Sequence, residues 1–140
     1  MKNWVKDIND MHRKYGVHQQ ISQMDAETLR KYLTFRINFL QEELDELKAN
    51  QNNPEEIVDA LIDLCVVAIG TLDAFNVDSH TAWKEVFRAN MEKEVGVKPS
   101  RPNPLGLPDL IKPTKETHGY DWTPPDHTGN HGYFLKLVSK

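Results

Sequence analysis

The chain has 140 residues, 39% of them hydrophobic and 27% charged, with a net charge of −4 and a pI near 5.8. That fits one domain with a sizeable core, and it excludes the strongly basic field that would draw the chain to a nucleic-acid polymer or an anionic membrane. A single cysteine, Cys65, leaves no disulfide framework within one chain and is most simply a small core residue.

The first sixteen residues lack the continuous apolar stretch of a signal peptide, and Leu64–Gly70 is too short to span a bilayer. A cytoplasmic, non-membrane protein is expected. Charge is uneven along the chain. Residues 1–95 hold 11 Lys/Arg against 17 Asp/Glu, and residues 96–140 hold 6 against 4. The expected division is a helical domain over 1–95, followed by an ordered extension over 96–140 that packs on the helices or on a neighbouring subunit.

Asn3 to Tyr15 reads as a short amphipathic helix, with Trp4, Ile8, Met11 and Tyr15 at helical spacing and Gly16 as its stop. His12 beside that stripe reads as structural rather than as a ligand. Gly16 to Met24 is a polar connector. Asp25 is the N-cap of a long helix running to about Ala49. Its core face is Leu29, Leu33, Ile37, Leu40, Leu44 and Leu47. Tyr32, Phe35 and Phe39 form a second stripe, for which a wide core contact and a dimer interface are equal alternatives.

A polar turn, Lys48 to Asn53, leads to Pro54 in the first turn of the next helix. From Ile57 to Leu72 that helix is apolar almost all round, the pattern of a buried helix. Asp59 and Asp63 nevertheless sit inside it, and an ionised carboxylate in such a place needs a positive partner or a metal. Asn76 to Asp78 breaks the helix, and Asp78 or Ser79 caps a fourth one running to about Val95. Trp83, Val86, Phe87 and Met91 mark its inward face, with Asn90 in the same stripe.

From Gly96 onward the helical period is lost, and seven of the eight prolines lie here. Large apolar residues, among them Leu105, Leu107, Leu110, Trp122, Tyr133 and Phe134, argue for an ordered, irregular segment rather than a disordered tail. Tyr133 to Val138 is a candidate short strand. The predicted fold class is all-α: a four-helix antiparallel bundle protomer with an irregular Pro-rich C-terminal extension, assembling as a dimer or tetramer.

The chemistry lies in the acids. Glu43 and Glu46 are three residues apart and Glu42 and Glu46 four apart, so both pairs share a helix face. The same holds for Glu56 with Asp59 and for Asp59 with Asp63. Folding the helices back at about Gln51 sets Glu46 opposite Glu56 and Glu43 opposite Asp59. Carboxylates converging without counter-charges raise one another's pKa and destabilise the fold. A hard divalent cation removes that cost, and oxygen-only donors point to Mg²⁺, with Mn²⁺ as the alternative.

Asp45 and Glu55 read as merely solvated. No Glu-x-x-His pair of a di-iron bundle and no EF-hand loop is present. Magnesium held by a few carboxylates keeps positions for water and substrate phosphates. Arg36, Asn90 and Lys93 are candidate phosphate or base contacts, although Asn90 reads equally well as a satisfied core amide.

These motifs, in this order, resemble the all-α nucleoside triphosphate pyrophosphohydrolases: MazG, phosphoribosyl-ATP pyrophosphohydrolase and dimeric dUTPase. The hallmarks are EExxE, here Glu42-Glu43-x-x-Glu46, and ExxD, here Glu56-x-x-Asp59. The short MazG-like proteins of phages and bacteria are most similar. They share Ile8-x-x-Met11-His12-x-x-Tyr15-Gly16, an arginine ahead of the acids like Arg36, the Asp59–Leu64 run, Arg88–Lys93, Lys112-Pro113 and Trp122–Asp126.

The resemblance implies Mg²⁺-dependent hydrolysis of a nucleoside triphosphate, a dNTP in the first instance, to the monophosphate and pyrophosphate, as nucleotide-pool house-cleaning. It implies Glu43, Glu46, Glu56 and Asp59 as metal ligands, and Glu42 as the residue that orients or deprotonates the attacking water. It implies Arg36, Asn90, Lys93 and, in the Lys-Pro pair, Lys112 as substrate contacts. The linker between Glu46 and Glu56 is short for the family, so Asp63 competes with Glu56 for the fourth ligand position. A homodimer or homotetramer is expected. The alternative is a non-catalytic helical oligomerisation or regulatory module that keeps the acids for a structural metal.

Overall fold

The structure is a computed structural model that describes residues 3–103, 105 and 109–138. Pro104, Leu107 and Pro108, which counted toward the ordered extension, lie outside the described residues. The chain is mostly helical, as expected of an all-α protein. No helix among the described residues is long and apolar enough to cross a membrane. Two compact units are present: residues 1–79 with 129–140, and residues 80–128.

The first unit is built on local signals that the sequence carries openly. Helix α1 (Trp4–Lys14) is capped by Asn3, whose side chain accepts the Lys6 N–H. Gly16 then adopts a left-handed conformation at φ 72° and turns the chain into α2 (Val17–Ser22). The expected connector is therefore partly a short helix: Ile21 is fully buried and Val17, one turn earlier, packs on the same cluster. Two apolar residues four apart were too short a pattern to separate from a loop.

Helix α3 (Ala26–Ala49) starts at Asp25, which accepts the Thr28 N–H and is held below the usual carboxylate range by that bond. After a tight turn, Asn53 accepts the Glu56 N–H and Pro54 opens α4 (Pro54–Ala74). α4 ends where Asn76 takes a positive φ of 60° and the Val77 N–H reaches back to the Leu72 carbonyl.

α3 and α4 pack as a hairpin, with α1 against α4 and α2 on the same helix. Ile21, Leu29, Ala74 and Phe75 form the buried core at one end, with Tyr32, Leu33 and Phe134 packed on it. Burying Phe75 completely is worth about 1.5–3 kcal/mol. The inward face of α3 is not the one expected. Leu29, Leu33, Leu40 and Leu47 do turn inward, but Arg36 and Glu43 join them, whereas Ile37 and Leu44 are 53% and 36% exposed. α4 also departs from its pattern: Ala60, Val67, Gly70, Thr71 and Ala74 are buried, yet Val58, Leu61 and Ile62 are exposed.

Residues after 128 return to this unit. The Asn130 side chain accepts the Asp78 N–H and donates to the Asp78 carbonyl, both at 2.8 Å. Tyr133–Val138 is not a strand: Gly132–Leu137 forms a 3-10 helix that packs on α3. Its register is set by aromatic burial, with Phe134 stacked on Phe75 at 4.1 Å between centroids. Gly132 makes the approach possible, since its φ is 52° and a Cβ there would lie 2.0 Å from the Phe75 carbonyl oxygen.

The second unit holds most of α5 (Ser79–Met91), an antiparallel pair β1 (Glu94–Gly96) and β2 (Asp109–Ile111), and one turn of helix α6 (Lys115–His118). Glu94 pairs with Ile111 and Gly96 with Asp109. Gly96 is required there, because a Cβ would meet the Ile111 side chain at 2.6 Å. On α5, Ala89 is fully buried, but Trp83, Phe87 and Met91, expected inward, are exposed. The segment 121–126 has no helical period and is ordered by side chains of α5. Arg88 donates to the carbonyls of Thr123 and Pro124, Glu85 accepts the Asp126 N–H, and the Trp122 indole donates to the Ala89 carbonyl.

Gly132→Ala forces a left-handed alanine against backbone, and a loss of about 2–3 kcal/mol is expected. Urea unfolding checks it: the midpoint should fall while the slope stays unchanged.

Candidate active site

Near the middle of the hairpin, the packing of α3 on α4 handles two charges differently. Arg36 Nε donates to Thr71 Oγ1 at 2.9 Å and Nη2 to the Val67 carbonyl at 3.0 Å, with the guanidinium 5.6 Å from the Phe39 ring. Gly70 clears its place, since a Cβ there would lie 2.8 Å from Nη2. As placed, two of the three guanidinium nitrogens of this predicted substrate contact are committed to α4.

Two turns further along, Glu43 is only 7% exposed, and its Oε2 is buried with no hydrogen-bond partner among the described residues. Burial pushes its carboxyl above the usual range, and the charges of Glu46, Asp63 and Glu42 push it in the same direction. Asp63 of α4, one turn beyond the expected Asp59, is thus among the charges that act on Glu43. This register agrees with Arg36 meeting Val67 and Thr71.

The conflict read from the sequence exists, but at another residue. Asp59 is exposed and Asp63 half-buried, whereas the buried carboxylate with an unpartnered oxygen is Glu43. Asp59 looked buried because its neighbours are apolar on every side, yet the chain's own helices cover only one face of α4. Glu56 and Glu55 are exposed at the start of that helix. Glu42, Asp45 and Glu46 lie exposed along the solvent side of α3, beside Asn38 and Gln41. Asp45 accepts a hydrogen bond from Gln41 at 2.8 Å, in keeping with a solvated role.

The donor set around Glu43 is all oxygen and carries excess negative charge, which fits Mg²⁺ or Mn²⁺. No three of these carboxylates bring oxygens within 4.8 Å of one another. Among the described residues, the one group of three potential ligands whose atoms lie within 4.8 Å of one another is His12, His18 and Asp73.

The other predicted substrate contacts belong to the second unit. Asn90 is exposed, on the residue after buried Ala89. Lys93 and Lys112 are brought together, their ammonium groups 5.2 and 4.8 Å from the Trp122 ring centroid.

The His12, His18 and Asp73 group escaped the sequence reading. His12 is not alone: Asp73 accepts from His12 Nδ1 at 2.7 Å, from His18 Nε2 at 2.6 Å and from Asn9 Nδ2 at 2.9 Å. Burial of Asp73 opposes ionisation, and the bonds from Asn9, His18 and His12 outweigh it, holding the carboxyl below its ordinary value. The signal was available in Asp73 itself, an acid near the end of an apolar helix.

The family model for phosphoribosyl-ATP pyrophosphohydrolase matches residues 14–90, more than half of the chain. The chain belongs to the phosphoribosyl-ATP pyrophosphohydrolase family. This agrees with the MazG-like resemblance and points to a nucleotide pyrophosphohydrolase, a hydrolase acting on acid anhydrides. Comparison with curated proteins and with solved structures finds no match. The matched span takes in Arg36, all the acids from Glu42 to Asp63, and Asn90; Lys93 and Lys112 lie beyond it.

The raised pKa of Glu43 has a consequence for stability. A carboxyl whose folded value lies above its unfolded value favours the fold while protonated, and that contribution is lost as pH rises from the ordinary glutamate range through the raised value. Metal-free Glu43→Gln should therefore be more stable than the unsubstituted chain at neutral pH. The difference should vanish below the ordinary glutamate pKa. Thermal unfolding in chelator across this pH range measures it.

Proposed function

We propose that the chain hydrolyses a nucleoside triphosphate, a deoxynucleoside triphosphate in the first instance, to the monophosphate and pyrophosphate in nucleotide-pool house-cleaning in the cytoplasm. The observation that carries the reading is Glu43: a buried carboxylate with an unpartnered oxygen, set among like charges in a family of pyrophosphohydrolases. Glu43, Glu46 and Asp59, with Glu56 or Asp63 as the fourth, would hold Mg²⁺ or Mn²⁺. The Coulombic influence of Asp63 on Glu43 favours Asp63 for that place. When bound, the cation offsets triphosphate charge and lowers the pKa of water.

The chain's own residues do the rest. Glu42, exposed along α3, orients the attacking water and takes its proton. Lys93 and Lys112 offer two ammonium groups to phosphate oxygens, and Asn90 offers an amide to phosphate or base. Arg36 reaches the substrate on exchanging its α4 carbonyl for a phosphate oxygen, or else braces the hairpin beneath the acids. Residues 1–95 carry the chemistry and 96–140 the extension. The protomer assembles as a homodimer or homotetramer. Exposed Val58, Leu61 and Ile62 on α4, with Ile37 and Leu44 on α3, support assembly.

The test is a product assay. Each canonical ribo- and deoxyribonucleoside triphosphate, and phosphoribosyl-ATP, is incubated with Mg²⁺ and the products are separated. Pyrophosphate is expected, and Glu42→Gln should lower kcat by about 10²–10⁴-fold without loss of fold. Release of orthophosphate, or unchanged turnover in Glu43→Gln, overturns the proposal. A chain that turns over nothing yet loses thermal stability on chelation is instead a structural module.

A further inference from the structure

Asp73 draws together three helices. It lies at the end of α4 with its side chain only 10% exposed, and it takes one imidazole from the last turn of α1 and one from the first turn of α2. The two imidazole nitrogens meet the same atom, Asp73 Oδ2, at 2.7 and 2.6 Å, while Oδ1 is held separately by the Asn9 amide. The rings stand edge to face at 80°, so the two nitrogens reach one point from different directions. The left-handed turn at Gly16 brings the α2 imidazole back toward α4.

We propose that His12, His18 and Asp73 form a second metal site, distinct from the acidic cluster, that takes a borderline divalent ion of the zinc class rather than Mg²⁺.

The donor chemistry separates the two sites. Two imidazole nitrogens and one carboxylate oxygen suit Zn²⁺, Co²⁺ or Ni²⁺, whereas Mg²⁺ selects oxygen and water. The nitrogens and Oδ2 already converge. For tetrahedral zinc, with bonds of about 2.0–2.2 Å, ligand atoms stand about 3.4 Å apart, so the imidazoles need only retreat by a fraction of an ångström. In doing so they exchange two N–H donors for lone pairs on one cation.

Asn9 is the outer contact that such sites use to aim a ligating carboxylate. His18, with its side chain 35% exposed, leaves a path for the ion and a position for water, while His12 and Asp73 are nearly closed off. An ion there would fasten α1 and α2 to α4. It would thereby brace the surroundings of Gly70, where a Cβ would touch both the His12 ring and the Arg36 guanidinium.

The experiment uses the full chain, stripped with chelator and kept in excess Mg²⁺ to occupy the oxygen site, then titrated with Co²⁺ and Zn²⁺. Visible d–d absorption of Co²⁺, competition with a chromophoric chelator and thermal unfolding are the readouts. One equivalent should bind, with the intense absorption of low-coordinate Co²⁺, and Zn²⁺ should raise the melting temperature. His18→Gln should abolish both effects while keeping its helical circular dichroism. Asn9→Ala should weaken binding by about 10–100-fold, and it serves as the second test should His18→Gln not fold. Glu43→Gln should bind as the unsubstituted chain does. No binding in excess Mg²⁺, binding that survives both His18→Gln and Asn9→Ala, or binding lost in Glu43→Gln overturns the proposal and leaves the cluster a hydrogen-bonded brace.

Discussion

Arg36 and Glu43 stand two turns apart on the face of α3 that packs against α4, and the hairpin cannot close without turning both inward. The guanidinium receives the Thr71 hydroxyl and the Val67 carbonyl, with Gly70 giving it room. The carboxylate receives only other carboxylates. One end of the same interface is thus electrostatically satisfied while the other remains open. A buried acid is tolerated when it is protonated, paired or liganded. In the proposed reading the third solution also serves the chemistry, because a cation that relieves Glu43 would also offset the charge of a triphosphate.

The faces of the helices show what apolar periodicity does and does not encode. Ile37 and Leu44 have the spacing of a core stripe, and α4 is apolar almost all round, yet Ile37, Leu44, Val58, Leu61 and Ile62 are exposed. Periodicity records which positions avoid water. It does not say which of two apolar faces the chain's own helices cover, and the choice here turns on burying Arg36 and Glu43 beside leucines. That choice also sets the hairpin register, with Arg36 on Val67 and Thr71 and with Asp63 acting on Glu43.

The Pro-rich region illustrates order without periodicity. Around Trp122 to Asp126 the backbone groups are satisfied by Arg88 and Glu85 of α5, and the indole by the Ala89 carbonyl. Arg101 and Asp109 form a two-pronged ion pair beside the short β pair. Side chain to backbone bonds of this kind replace the ladder that a helix or sheet would supply.

The sequence by itself determined what rests on neighbours within a few residues: the cap at Asp25, the proline that opens α4, the break at Asn76, and the spacing of the acids. It also carried the ordered motifs by which the family was legible. Tertiary structure alone decided which carboxylate is buried, that part of the expected connector is a helix holding Ile21, and that residues 132–137 coil against Phe75 rather than extend. It alone brought His12 and His18 to an aspartate 61 and 55 residues away. The physical reason is range. Caps and helical spacing act between residues a turn apart, whereas burial and the meeting of charges depend on which faces pack, and that is settled only when the whole unit closes.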